Sequence, residues 1–144
     1  SPRPLSLVMI DADHFKRIND QYGHVTGDGV LRHMAASMTA TFRAMDVLAR
    51  FGGEEFIVLL PDTSLEGAEL VAQRLCRLIE ATPAVVGEHT VRYTVSAGVA
   101  AMDADATDFD ALVQRADEAL YAAKAKGRNR VERWQPATLP AAVR

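Results

Sequence analysis

Cysteine is nearly absent from this chain: Cys76 is the one thiol in 144 residues. No internal disulfide can form, no cysteine-built zinc site can close, and a reducing cytoplasm is the expected setting. Long apolar runs are missing too. None approaches the roughly 18 to 20 residues that a membrane helix needs. Ser1-Pro2-Arg3-Pro4 lacks the charged-then-apolar layout of a signal peptide. An excess of positive charge is also lacking. With 16 basic against 19 acidic residues, the net charge is -3 and the pI near 5.8. That balance argues against bulk attachment to nucleic-acid polymers or direct contact with an anionic membrane. Internal repeats and low-complexity blocks are absent. What remains is 49% hydrophobic and 24% charged, which gives one compact domain a core of its own and excludes a disordered chain.

Leu5 to Ile10 is a nearly continuous apolar run ending in Asp11-Ala12-Asp13. It predicts a central strand, buried on both faces, with carboxylates at its C-terminal end. Phe15, Ile18 and Tyr22 share one face of a helix that Gly23 ends. Gly27-Asp28-Gly29 then punctuates the chain, and a longer helix follows with Val30, Leu31, Met34, Ala35, Met38 and Phe42 inward. Val47 to Phe51 and Glu55 to Leu60 predict a hairpin whose turn, Gly52-Gly53-Glu54, depends on glycine. Ser64 N-caps a third helix with Ala68, Val71, Ala72, Leu75, Leu78 and Ile79 inward, and Cys76 beside that stripe as a small core residue. Strands near Ala84 to Val86 and Val91 to Met102 join through Gly87-Glu88. A last helix from Asp108 to about Lys126 buries Phe109, Leu112, Val113, Ala116, Leu120 and Ala123, and Arg130 to Trp134 form an edge strand. Hairpins mixed with crossover helices predict an α+β sandwich, one mixed sheet covered by helices. Residues 1–134 are read as the domain, and residues 135–144, with two prolines, as a frayed tail.

Two acidic clusters carry the chemistry. Asp11 and Asp13 stand at i and i+2, so a continuing strand projects both to one face. A calcium loop does not fit, because Phe15 and Lys16 occupy the positions that need an oxygen ligand and a glycine. Gly52-Gly53-Glu54-Glu55-Phe56 joins two residues without a Cβ, over which a large ligand can approach, to two carboxylates at the mouth of a strand. Beside Asp11 on a neighbouring strand, those carboxylates can bind Mg²⁺, an ion that favours few carboxylates plus substrate phosphates. Other machinery is excluded. There is no Gly-x-x-x-x-Gly-Lys-Ser/Thr loop, no His-Glu-x-x-His among His14, His24, His33 and His89, and no Gly-x-Ser-x-Gly elbow around Ser96.

Several stretches together resemble the GGDEF family of diguanylate cyclases. They are Asp11-Ala12-Asp13-His14-Phe15-Lys16, Asn19-Asp20, Tyr22-Gly23-His24, Gly27-Asp28 and Arg50-Phe51-Gly52-Gly53-Glu54-Glu55-Phe56. Thr94-Val95-Ser96-Ala97-Gly98-Val99 and Ala116 to Lys124 with Gly127-Arg128-Asn129 continue the match in order, with glutamate at the third position of the signature. The resemblance implies a mixed, mostly antiparallel central sheet flanked by helices, like the palm of nucleotidyl cyclases and polymerases with its ferredoxin-like core. It also implies a signalling enzyme that joins two GTP into cyclic di-GMP and releases two pyrophosphates. Each domain of a homodimer would hold one GTP.

Carried over to this sequence, the resemblance gives Asp11, the carbonyl of Ala12, Glu54 and Glu55 as holders of Mg²⁺ or Mn²⁺, with Glu54 also the base for the 3′-hydroxyl. Asn19 and Asp28 match the guanine-binding pair. A carboxylate at Asp28 accepts from guanine N1–H and the N2 amine, whereas adenine would leave it facing an acceptor, at a penalty of roughly 1–3 kcal/mol. Gly52 and Gly53 border the substrate. Phe15 and Lys16 lie where backbone amides approach the phosphates, and Lys124 and Arg128 match contacts to the γ-phosphate. Arg43-Ala44-Met45-Asp46 matches the family's inhibitory site for product cyclic di-GMP, with Arg74 as a third contributor. Family members usually carry a lead-in helix before the first strand and a regulatory domain upstream. The start at Ser1 reads as an excised domain or a truncated relative, with sensing and any membrane tether belonging to the full-length protein. The rival expectation is a catalytically silent receptor that captures cyclic di-GMP through Arg43 and Asp46. Intact Asp11, Glu54, Glu55, Asn19 and Asp28 argue for the enzyme.

Overall fold

The computed structural model describes residues 3–136, so most of the expected tail, residues 137–144, lies outside the described residues. The elements run β1 (Leu5–Ala12), α1 (Phe15–Tyr22), α2 (His24–Thr41), β2 (Val47–Arg50), β3 (Glu55–Pro61) and α3 (Leu65–Ala81). They continue β4 (Ala84–Val86), β5 (His89–Val91), β6 (Val95–Ala101), α4 (Phe109–Ala125) and β7 (Val131–Arg133). The main sheet has the order β2-β3-β1-β6-β7. Its pairs are antiparallel except β6–β7, which is parallel. This is the expected α+β architecture.

The apolar run of β1 is central because both of its faces are covered. Val8 and Ile10 pack with α1, α2 and α3 through Phe15, Ile18, Val30, Met34, Met38, Val71, Leu75 and Ile79. Leu7 and Met9, pointing the other way, pack with Leu112, Ala116 and Leu120 of α4. Asp11 continues the second set by alternation, which aims it toward α4. Ser64 Oγ accepts from Gly67 N at 3.1 Å and Asp108 Oδ1 from Ala111 N at 2.8 Å, each cap worth about 1 kcal/mol.

Four local expectations are corrected. Gly27 and Gly29 do not interrupt the chain: α2 already begins at His24 and carries both glycines inside it. They serve close packing, since a Cβ on Gly27 would sit 1.9 Å from Asn19 Oδ1 and one on Gly29 would sit 2.5 Å from Val86. The expected strand from Val91 to Met102 is two strands. β5 pairs with β4 in a small hairpin, and β6 joins the main sheet, because the chain must leave one sheet for the other at 92–94. Leu78 and Phe109 are exposed rather than buried, as each lies at the margin of its helix's apolar stripe. Cys76 takes the inward place instead, fully buried, with its thiol pushed up to about 12 by that burial. The hairpin turn needs no left-handed residue: neither Gly52 nor Gly53 adopts a positive φ.

Gly98 is the position with least tolerance. A Cβ there would lie 2.2 Å from both Ala116 O and Leu120 N, backbone atoms of α4. Gly98→Ala is therefore expected to cost about 3 kcal/mol in urea unfolding, through overpacking against atoms that have no rotamer to escape to. Gly53→Ala, which meets nothing within 4 Å, is the control and should shift stability little.

Candidate active site

The C-terminal end of β1 is where the acidic clusters meet. Asp11 faces Glu55 across the β1–β3 ladder, and Ala12 N donates to Glu54 O at 3.4 Å. On the other side of β1, Asp11 faces Ser96 of β6. From α4, 113 residues later in the chain and packed directly on β1, Lys124 donates its ammonium to Asp11 Oδ2. The second carboxylate oxygen, Oδ1, is buried and is the one such side-chain atom without a partner among the described residues.

The Asp11 carboxyl is raised from 3.8 to about 6 on balance, and burial is the largest influence. Lys124 pulls it down by hydrogen bond and charge, while the charges of Glu54 and Glu55 push it up again. Among the described residues no three His, Cys, Asp or Glu side chains close on a common point. Asp11 Oδ1 stands buried and unpartnered, and the Ala12 carbonyl and the Glu54 and Glu55 carboxylates expected to share an ion lie at the same end of the sheet without closing a shell of their own. The orphaned buried oxygen and this hard-oxygen donor set fit Mg²⁺ or Mn²⁺ completed by phosphate and water oxygens.

Asp13, expected on the same face as Asp11, does something else. β1 ends at Ala12, and Asp13 turns to accept from Ser96 Oγ at 2.6 Å, Thr94 Oγ1 at 2.6 Å and Asn129 N at 3.0 Å. With both oxygens satisfied, it acts as a clamp that holds the turn after α4 against β6. Arg128 belongs to that turn and has a left-handed φ of 65°, so the clamp also sets where Arg128 sits. The sequence carried a signal for this: Thr94-x-Ser96 puts two hydroxyls on one face of a strand start. Arg50 was likewise missed as a structural support. Its guanidinium donates to Gly52 O and Gly53 O at 3.2 Å, clasping the signature turn. In that turn Gly52 leaves room for Glu55, whose Oε1 lies 3.1 Å from where a Cβ would stand.

The other expected residues form three groups. His14 adopts a left-handed φ of 54° to turn β1 into α1 and gives that helix no side-chain cap, which leaves the first amides, at Phe15 and Lys16, open. The Lys16 ammonium lies at the surface, bonded to Asp20 at 3.2 Å. Asp28 is exposed and lines a cleft of about 440 Å³ with Leu31, Arg32, Ala35, Arg50 and Phe56. Asn19 is not among its lining residues, but its side chain lies against Gly27, one residue before Asp28.

Arg43, Asp46 and Arg74 share a separate cleft of about 320 Å³. There the guanidinium of Arg43 bonds Asp46 Oδ1 at 2.9 Å, Pro61 O at 2.7 Å and Thr63 Oγ1 at 2.6 Å. The Asp46 side chain is 1% exposed and also accepts from Arg43 N at 2.8 Å.

Comparison with known proteins points to one family. The family described as "Diguanylate cyclase, GGDEF domain" matches residues 1–130. The response regulator PleD of Caulobacter vibrioides is 44% identical over 130 residues, covering 89% of this chain, while the chain spans 29% of that relative's length. Among solved structures, the active GGEEF domain of a diguanylate cyclase from Vibrio cholerae is similar, with a TM-score of 0.88 and 36% identity over 94% of this chain and 85% of that one. The GGDEF domain of DgcB from Caulobacter crescentus, solved in complex with c-di-GMP, has a TM-score of 0.84 and 32% identity over 90% of this chain and 77% of that one.

The state of Asp11 has a consequence for stability. Its folded carboxyl keeps the proton to higher pH than the unfolded one, so the metal-free fold loses stability as pH rises from 3.8 to about 6 and stays at the lower level above. Asp11→Asn removes that loss. In chelator-treated protein it is expected to raise the urea midpoint at pH 8, with the advantage shrinking as pH falls through the same window. A variant no more stable than the parent at pH 8 would remove the assignment of Asp11 as a buried, destabilising charge.

Proposed function

The chain belongs to the GGDEF domain family of diguanylate cyclases, and we propose that it condenses two GTP into cyclic di-GMP and two pyrophosphates as a homodimer. The observation that carries this reading is the meeting of Asp11, Glu54, Glu55 and Lys124 at one end of the sheet, with a buried carboxylate oxygen left unpartnered. A pure receptor has no use for such a cluster.

The roles follow from the chemistry of each group. Asp28 accepts the N1–H and N2 amine of guanine in the cleft it lines, with Asn19 as the second base contact. The open amides of Phe15 and Lys16 receive phosphate oxygens, and Lys124 and Arg128 neutralise the γ-phosphate. Gly52 and Gly53 keep the hairpin thin enough for the nucleotide to pass over it. Asp11, the Ala12 carbonyl, Glu54 and Glu55 would hold Mg²⁺ or Mn²⁺, whose charge offsets that developing on the phosphates and lowers the pKa of the ribose hydroxyl. Glu54 takes the proton of the 3′-hydroxyl. The freed oxygen attacks the α-phosphate of the GTP on the second copy, a P–O bond to pyrophosphate breaks, and the reciprocal attack closes the ring. One domain holds one GTP, so two copies must face each other.

Product inhibition is proposed at the cleft of Arg43, Asp46 and Arg74. A guanidinium suits the O6/N7 edge of guanine and an aspartate its N1/N2 edge. The product must compete there with Arg43's own bonds to Asp46, Pro61 and Thr63.

Mass-spectrometric detection of product from GTP and Mg²⁺, with product continuously removed, tests the function. The expected result is cyclic di-GMP with a steeper than linear dependence on protein concentration, and none from ATP. Glu54→Ala should lower turnover by about 100-fold or more while leaving cyclic di-GMP binding intact. Normal turnover in that variant would overturn the catalytic assignment. Arg43→Ala should do the opposite, weakening product binding about tenfold or more while the initial rate persists. A chain that makes no product at any concentration, yet binds cyclic di-GMP through Arg43, is a receptor.

A further inference from the structure

Lys124 invites a question that its contact with a nucleotide phosphate does not answer: what it does before a nucleotide arrives. The inference rests on the reading of Asp11 as a metal ligand. Without metal, the Asp11 carboxylate is almost wholly buried, with its side chain 6% exposed, and it sits among the like charges of Glu54 and Glu55. A buried carboxylate with no counter-charge is costly to the fold. The single cation bonded to it is the ammonium of Lys124, on Oδ2, and Oδ1 has no partner among the described residues. No other lysine near this end is free for the task, because Lys16 is bonded to Asp20 and Lys126 to Glu132.

A divalent ion on Asp11 competes with that ammonium for the same carboxylate. A divalent ion taken by the unpartnered Oδ1 stands beside the ammonium on Oδ2, and the repulsion between them weakens the hold of the carboxylate on Lys124. Lys124 is the one built to move. It lies in the last turn of α4 with its side chain 34% exposed, so the head reaches solvent by rotation of a flexible stem. The helix end beneath it stays fixed, since Asp13 holds the adjoining turn through Asn129 N.

We propose that Lys124 is the resident counter-cation of Asp11, displaced when a divalent ion binds, so that metal affinity and lysine position form one linked equilibrium. The displaced ammonium is then released toward the phosphates. Whatever engages Lys124 there favours the metal at Asp11, and the metal favours that engagement by the same factor. Lys124 thereby lowers the affinity of the empty domain for metal alone and couples metal to nucleotide.

The test measures Mn²⁺ alone, without nucleotide, by the loss of the free-ion electron paramagnetic resonance signal in the presence of the purified chain. Lys124→Met is expected to bind Mn²⁺ about three- to tenfold more tightly than the parent, because the competing cation is gone. Asp11→Asn should lose the site. Equal or weaker binding by Lys124→Met, with binding still lost in Asp11→Asn, overturns the proposal and leaves the metal reading standing. Binding that survives Asp11→Asn unchanged removes the metal reading and the proposal with it, whereas no binding by either the parent or Lys124→Met overturns the proposal alone, because the ion then joins only with the nucleotide's phosphates. Should Lys124→Met fold poorly, the parent itself decides. The Lys124 Nζ resonance is expected to shift in step with Mg²⁺ occupancy, and a resonance that stays put as Mg²⁺ binds overturns the exchange.

Discussion

Everything at the site depends on how closely α4 lies on the sheet. At Gly98 the helix backbone and the strand backbone are in contact, with no side chain between them. That approach fixes the height of α4 above β6 and β1. It brings Lys124 within reach of a carboxylate 113 residues earlier in the chain, and the turn after the helix within reach of Asp13. A helix held further out by one methyl group would still cover the core, but it would carry its cation and its turn away from the strand ends that need them.

Asp11 and Asp13 differ by two positions and have the same side chain, yet their surroundings give them opposite tasks. Asp13 meets two hydroxyls and a backbone amide, each aimed at an oxygen, and becomes a fully satisfied clamp. Asp11 meets one ammonium and neighbouring glutamates, and is left with an empty buried oxygen. The first arrangement stabilises the fold, and the second leaves a buried acceptor unsatisfied at a cost to the fold.

β3 connects the two regions of interest. Its first residue, Glu55, sits beside Asp11, and its last, Pro61, offers a carbonyl to Arg43. The candidate catalytic cluster and the cleft of Arg43, Asp46 and Arg74 are thus served by opposite ends of one short strand.

Much of this was legible in residue order. The apolar run before Asp11, the stripes of α2, α3 and α4, the Ser64 and Asp108 caps and the glycine-acid signature are local patterns, and local patterns follow from the geometry of single helices and strands. Membership of the family was legible for the same reason, since its motifs are short and ordered. Two of the misread features turned on packing that no local pattern displays. Gly27 and Gly29 looked like breaks because the side chains that crowd them, Asn19 and Val86, are supplied by packing. The run after Val91 looked like one strand because nothing local tells which sheet each half joins. The sequence alone determined which carboxylates, ammonium groups and guanidinium groups the chain carries and in what order. Only the tertiary structure decided that Lys124 rests on Asp11, that Asp13 is spent on holding a turn, and that Arg43 is already engaged. Each of those outcomes is a competition among donors for buried acceptors, and burial is set by the whole fold.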